Sequence, residues 1–115
     1  MKESKLGDFE ETILLIVGIL KKEAYAFNIA EEFETQTKRV VSIGAVHSTL
    51  SRIEDKGFVE SKMGDSTAER GGRRKRIYTI TAQGQKALEI SRDLKMSLWN
   101  QFPAFAGSNL NFSFE

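Results

Sequence analysis

A run of positively charged side chains is the clearest chemical feature of this 115-residue sequence. Five cations fall within seven residues, at Arg70, Arg73, Arg74, Lys75 and Arg76, and two glycines lie among them. Arginine and lysine neutralise phosphate groups, while glycine lets a backbone follow a phosphate path without side-chain bulk. The run therefore predicts a surface that binds a phosphate backbone. A solvated charged loop is the plainer alternative.

Charge is unevenly distributed along the chain, although its formal net value is only +1. Residues 1–37 carry a net charge of −4, residues 38–86 carry +6 and residues 87–115 carry −1. Positive charge gathered in one stretch is typical of proteins that bind nucleic acid. The division therefore favours double-stranded DNA as a partner.

The residue types that are missing argue against several other functions. The chain has no cysteine and a single histidine, His47, so disulfides, thiolate chemistry and a structural zinc site are not expected. We find no nucleophile or acid–base pair at a recognisable spacing, so we expect no catalytic residues, no metal and no cofactor. The longest apolar stretch, 13–20, is far below the ~20 residues that cross a bilayer, so we expect a cytoplasmic protein without membrane contact.

Helical spacing of apolar residues and the positions of capping residues predict four helices around one hairpin. The predicted helices are Phe9–Lys22 with Asp8 as N-cap, Ala26–Thr37, Ile43 to about Lys56 with Ser42 as N-cap, and Ala82 to about Phe102 with Thr81 as N-cap and Pro103 as the stop. Gly57 fits the left-handed position after the third helix. The predicted strands are 58–63 and 74–81, joined by a long basic tip.

This order, α-α-α-β-β-α, is that of a winged helix-turn-helix, a mainly α fold with a small β-hairpin. We expect residues 1–81 to form the DNA-binding part, residues 82–103 a C-terminal dimerisation helix and residues 104–115 a tail or arm, all within one compact domain. In this fold the third helix enters a DNA major groove. Its predicted buried stripe is Ile43, Val46, Leu50 and Ile53, and its opposite face is small and polar. His47 lies at the border of the two faces.

The fourth helix carries two neighbouring apolar stripes, which include Leu94, Leu98 and Trp99. Packing against the core or against a second subunit is the simpler interpretation. In a sharper one, Trp99 and Met96 border an apolar ligand pocket together with Ile13 and Ile16 of the first helix, because an indole offers a large stacking surface.

Several motifs resemble the PadR family of bacterial transcription regulators. The matching segments are 6–11, Ala24-Tyr25, 42–46 leading to Leu50, Arg52-Ile53-Glu54, Lys56-Gly57, 69–76, Tyr78 and Thr81-Ala82-Gln83-Gly84. The resemblance covers residues 6–90. It implies a homodimeric repressor that binds a partly palindromic operator and dimerises through its fourth helix. It also implies a small aromatic or hydrophobic effector. Two positions depart from the family pattern, His47 in place of a tyrosine and Ala26 in place of a glycine.

The predicted DNA-binding residues come from the third helix and from the hairpin tip. They are Ser42, Gly44, Ala45, His47, Ser48, Arg52, Arg73, Arg74, Lys75 and Arg76. The arginines and lysine are expected to supply affinity, and Ser48, Arg52 and Ala45 sequence discrimination. The main alternative is a protein–protein module on the same fold that meets an acidic partner. A nonspecific nucleic-acid coat protein and an enzyme rank lower.

Overall fold

The computed structural model describes residues 5–64 and 74–103, and the positions of the helices and strands agree with the predicted order. The helices are α1 (Asp8–Leu20), a short 3-10 helix (Lys21–Glu23), α2 (Ala26–Thr37), α3 (Ile43–Asp55) and α4 (Ala82–Gln101). The strands are β1 (Val59–Met63) and β2 (Arg76–Ile80). The mainly α winged-helix architecture predicted from the sequence is confirmed.

Helix α1 begins one residue earlier than the sequence predicts. Gly7 is the N-cap, with an extended backbone, and Asp8 is the first helical residue. The side chain of Glu10 reaches back and accepts a hydrogen bond of 2.8 Å from the Gly7 amide. This bond satisfies a backbone donor at the helix start without a capping side chain, which explains why a glycine serves there.

The predicted starts of α3 and α4 are confirmed by side-chain hydrogen bonds of their N-cap residues. The hydroxyl of Ser42 accepts from the Ala45 amide at 3.0 Å, and that of Thr81 accepts from the Gly84 amide at 3.0 Å. Each hydroxyl therefore satisfies one free amide in the first turn of its helix. Gly57 follows α3 with a φ of 84°, a left-handed conformation that glycine adopts without steric cost.

The core is formed by the first three helices and the base of the hairpin. Strands β1 and β2 pair antiparallel, with Val59 opposite Ile80 and Met63 opposite Arg76. The fully or almost fully buried apolar residues are Ile13, Leu14, Ile16, Val17, Ala24, Ile29, Phe33, Val46, Leu50, Ile53, Phe58 and Val59. We use the name wing for the hairpin of β1 and β2 with the residues between them.

Helix α4 leaves the core after its first turns. Gly84 is buried, whereas the large apolar side chains further along, including Ile90, Leu94, Leu98 and Trp99, are each more than half exposed. None of the helices in 5–64 and 74–103 combines the length and apolarity required to span a bilayer. The outer part of α4 offers an apolar surface that the other described residues leave exposed.

Candidate nucleic-acid interface

The first half of α3 presents small side chains to solvent. Ser42, Gly44, His47 and Ser48 are exposed, and Ala45 is half-buried. Ile43 was predicted to belong to the buried stripe, but it is 41% exposed because it lies at the first helical position, beyond the core. Small side chains allow the backbone of a helix to approach base edges and phosphates closely, so this surface is suited to insertion into a groove.

Cations of the wing lie on its surface and bond to nearby oxygen atoms. Arg74 Nε donates to the Gly64 carbonyl at 3.0 Å, and Arg76 Nη1 donates to Ser61 Oγ at 3.0 Å. Ser61 in turn donates to Glu54 Oε2 at 2.8 Å. Both arginines are exposed, and within the described part of the chain neither forms an ion pair. Arg73 lies outside the described residues.

A cleft of about 700 Å³ lies between the start of α2, His47 of α3 and the wing. His47 of α3 lines one side of this cleft, and Lys75 and Arg76 line another. Lys75 Nζ lies 4.1 Å from the centroid of the Tyr25 ring, a cation–π contact that holds this residue against the start of α2. The third helix and the wing cations therefore border the same cleft and can meet one partner together.

Arg52 lies in the last turn of α3, where it bonds to groups of its own chain. Its Nε donates to Glu10 Oε2 at 3.2 Å, and its Nη2 donates to Thr49 Oγ1 at 3.1 Å. Lys56 Nζ donates to the other oxygen of Glu10 at 2.8 Å. This network was not predicted from the sequence. The side chain of Arg52 is nevertheless 54% exposed, so it is still accessible to a base. A base contact by Arg52 therefore stays a prediction.

The partners of Glu10 stabilise the ionised form of its carboxyl. Burial alone raises the pKa of this carboxyl, but hydrogen bonds from Lys56, the Gly7 amide and Arg52 outweigh burial and hold the pKa below its usual range. A group with a lowered pKa adds stability that is present above its unfolded-state pKa and is lost as the pH falls through its folded-state pKa.

We therefore expect Glu10→Gln to lower the free energy of unfolding by about 1–3 kcal/mol at pH 7, because Arg52 and Lys56 lose a charged acceptor. The difference between wild type and variant should shrink towards zero at a second, lower pH that lies below the folded-state pKa of Glu10, where the wild-type carboxyl is protonated as well. Urea denaturation at both pH values measures the difference. An equal difference at both would show that the charge of Glu10 contributes nothing.

The family assignment follows from comparison with known proteins. The transcriptional regulator PadR-like family matches residues 13–90, which is more than half of the chain. The chain belongs to the PadR-like family. No curated protein matches it by sequence.

Solved structures of PadR regulators resemble this PadR-like chain. A PadR family transcription regulator from Clostridium difficile R20291 is 30% identical, with 79% of this chain and 96% of that chain covered and a TM-score of 0.58. A PadR-like transcription factor from Bacteroides fragilis is 23% identical, with 81% and 84% covered and a TM-score of 0.67. A PadR-like regulator from Bacillus cereus is 21% identical, with 84% and 93% covered and a TM-score of 0.64. The last two show a shared fold.

A second cavity of this PadR-like chain, of about 490 Å³, lies between α1 and α4. Trp99 and Met96 line it, as the pocket hypothesis requires, but Ile13 and Ile16 do not. Those two isoleucines are 0% and 2% exposed in the core, so their predicted place in a pocket or dimer surface is wrong. Leu15 takes their place, since it lies on the opposite side of α1 and is 49% exposed.

Charged side chains close one rim of this cavity in the PadR-like chain. Lys95 of α4 donates to Glu11 of α1 at 2.6 Å, and Arg92 and Glu89 also line the cavity. Sequence reasoning missed this ion pair because its partners are 84 positions apart. The contact of Tyr25 with Lys75 in the cleft beside α3 was also not predicted, although Tyr25 belongs to one of the motifs that resemble the family.

Proposed function

We propose that this chain is a homodimeric repressor that binds double-stranded DNA at a partly palindromic operator. The observation that carries the proposal is the cleft that His47 of α3 borders together with Lys75 and Arg76 of the wing. A duplex that placed its major groove on α3 would bring its neighbouring phosphates to the wing. Membership of a transcriptional regulator family supports DNA as the partner rather than an acidic protein.

The two surfaces have different roles in this proposal. Arg74, Lys75 and Arg76, with Arg73 beyond the described residues, neutralise phosphates and supply affinity for any sequence. The first half of α3 discriminates between bases through Ala45, His47 and Ser48, and the amides near Ser42 and Gly44 can donate to a phosphate. His47 stands where the family has tyrosine, so an imidazole replaces a phenol at this edge of the cleft.

The proposed dimer uses the uncovered surface of α4. Leu94, Leu98 and Trp99 are 60%, 57% and 70% exposed, and large side chains of this kind gain stability when a second subunit covers them. Two α3 helices would then reach half-sites about 34–36 Å apart, one helical turn of DNA. A planar apolar effector would bind between α1 and α4, where Trp99 supplies a stacking surface.

Footprinting the purified protein on the DNA upstream of its own coding region tests the proposal and locates the operator. In fluorescence polarisation on the protected fragment, we expect Arg74→Ala with Arg76→Ala to weaken binding at least tenfold. Binding to a scrambled duplex of the same composition should weaken equally, because phosphate contacts carry no sequence information.

The matched control removes two cations from α4 instead, by Lys86→Ala with Arg92→Ala, and should leave both affinities within about twofold. A wild-type protein that retains neither duplex would contradict the proposal and favour a protein–protein module. Equal retention of both duplexes would indicate a nonspecific coat protein.

A further inference from the structure

The carboxylate of Glu10 joins the start of α1 to the last turn of α3. The residue is 6% exposed and contacts both Arg52 and Lys56, which are separated by about one helical turn. Lys56 Nζ also donates to the Lys5 carbonyl at 2.5 Å. One buried acid therefore ties the N-terminal segment, α1 and α3 together at a single point.

This point of attachment lies at the opposite end of α3 from the surface that faces the cleft. Helix α3 has 13 residues and is about 20 Å long. A rotation of ~5° about its last turn moves its first turn by about 1.5 Å, from the same rise per residue. Such a displacement is enough to spoil hydrogen bonds to base edges, which weaken steeply with distance and angle.

The bonds of Arg52 to Glu10 and Thr49 fix the orientation of its guanidinium as well as its distance from α1. The guanidinium of Arg52 is held at two atoms, by Glu10 through Nε and by Thr49 through Nη2. Thr49 is 2% exposed, so its hydroxyl is fixed by the core around it. A buried ion pair is weak evidence for added stability, since apolar packing often serves as well, but its directional bonds select one arrangement of the helices.

We propose that Glu10 is a positioning residue that determines DNA sequence specificity by setting the angle of α3 through Arg52 and Lys56. The inference rests on the proposed DNA-binding function and goes beyond it, because Glu10 is remote in sequence from every predicted DNA contact. Glu10 acts on discrimination between sequences and not on phosphate affinity, since it touches no cation of the wing within the described residues.

The test compares the affinities of Glu10→Gln for the footprinted operator and for a scrambled duplex of equal length. We expect the ratio of these affinities to fall at least tenfold. Affinity for the scrambled duplex should hold or rise, because the variant frees two cations and keeps the wing. A purely structural role would lower the folded fraction and weaken both duplexes equally, leaving the ratio unchanged.

Asp8→Asn is the matched control. Asp8 lies in the same turn of α1 and the variant loses the same charge, but Asp8 is exposed and forms no ion pair within the described residues. We expect its affinity ratio to equal that of wild type. A second variant, Thr49→Val, keeps Glu10, Arg52 and every charge but removes the buried hydroxyl that holds Arg52 Nη2, and should lower the ratio in the same direction as Glu10→Gln.

The double variant Glu10→Gln with Thr49→Val should lower the ratio no further than the stronger single variant, because both changes break one unit. A wild-type protein without a footprint would overturn the proposed function. A wild-type protein with a footprint, together with an unchanged ratio in Glu10→Gln and Thr49→Val, would overturn this inference alone.

Discussion

Raising the salt concentration from 50 to 200 mM is expected to weaken operator binding by about 10³–10⁵-fold. Each phosphate that a lysine or arginine neutralises releases condensed counterions, and added salt opposes that release. The wing supplies Arg74, Lys75 and Arg76 within the described residues, and Arg73 adds to them in the sequence. Two subunits of the proposed dimer would therefore neutralise the ~6–10 phosphates on which this reduction in affinity is based.

The salt dependence is measured as the slope of log affinity against log salt concentration. Arg74→Ala with Arg76→Ala should make the slope shallower by about 0.9 for each phosphate that the variant no longer neutralises, whereas Lys86→Ala with Arg92→Ala should leave it unchanged. A wild-type slope near zero would show that the wing cations do not bind phosphate. In that case the cleft would have to bind its partner through uncharged groups.

Local sequence signals predicted much of the fold because the residues that determine it are neighbours. The bounds of α2, the caps at Ser42 and Thr81, and the left-handed Gly57 all depend on interactions within about one helical turn. A hydroxyl side chain placed just before a run of apolar residues at helical spacing indicates the start of a helix. The same reasoning failed at Asp8, since the acid that reaches back to the Gly7 amide is Glu10.

The face that α1 turns towards α4 could not be predicted, because that helix is apolar on all sides. Periodicity places Ile13 and Ile16 on one face and Leu15 on another, but it does not say which face meets the core. The core takes Ile13 and Ile16, which leaves Leu15 for the cavity beside Trp99. Knowledge of the packing partners is required to assign such a face.

Long-range ion pairs are similarly hidden from sequence reasoning. Glu10 and Glu11 look alike in the sequence, because both are acids in the first turn of a helix. Negative charges at that position interact favourably with the helix dipole. The fold sends Glu10 to α3 and Glu11 to α4, because neighbours on a helix point about 100° apart. Adjacent carboxylates therefore take different roles, and only the packing of α1 between the two helices separates them.

The attachment of α4 to the wing depends on the absence of a side chain at Gly84. A Cβ atom built there would lie 2.1 Å from the carbonyl oxygen of Phe58, far inside van der Waals contact. That oxygen also accepts a hydrogen bond of 3.0 Å from the Thr81 amide. The clash is with backbone and cannot be relieved by a change of rotamer, so α4 would have to move away from the hairpin.

We therefore expect Gly84→Ala to lower the free energy of unfolding by about 1–3 kcal/mol, or more where the helix cannot move. At about 4–8 °C for each kcal/mol in a domain of this size, the melting temperature should fall by roughly 5–20 °C. Differential scanning calorimetry of the full chain measures the change.

Gly44→Ala is the matched control, because it places the same methyl group in the first turn of another helix. The nearest atom to a Cβ at Gly44 is Ser42 Oγ at 4.0 Å, so the methyl meets no obstacle, and alanine is favoured over glycine in a helix by up to about 1 kcal/mol. Its melting temperature should hold or rise. If Gly84→Ala melted as Gly44→Ala does, the close approach of α4 to Phe58 would not exist in solution, and the exposed stripe of α4 would not be held in the direction that the proposed dimer requires.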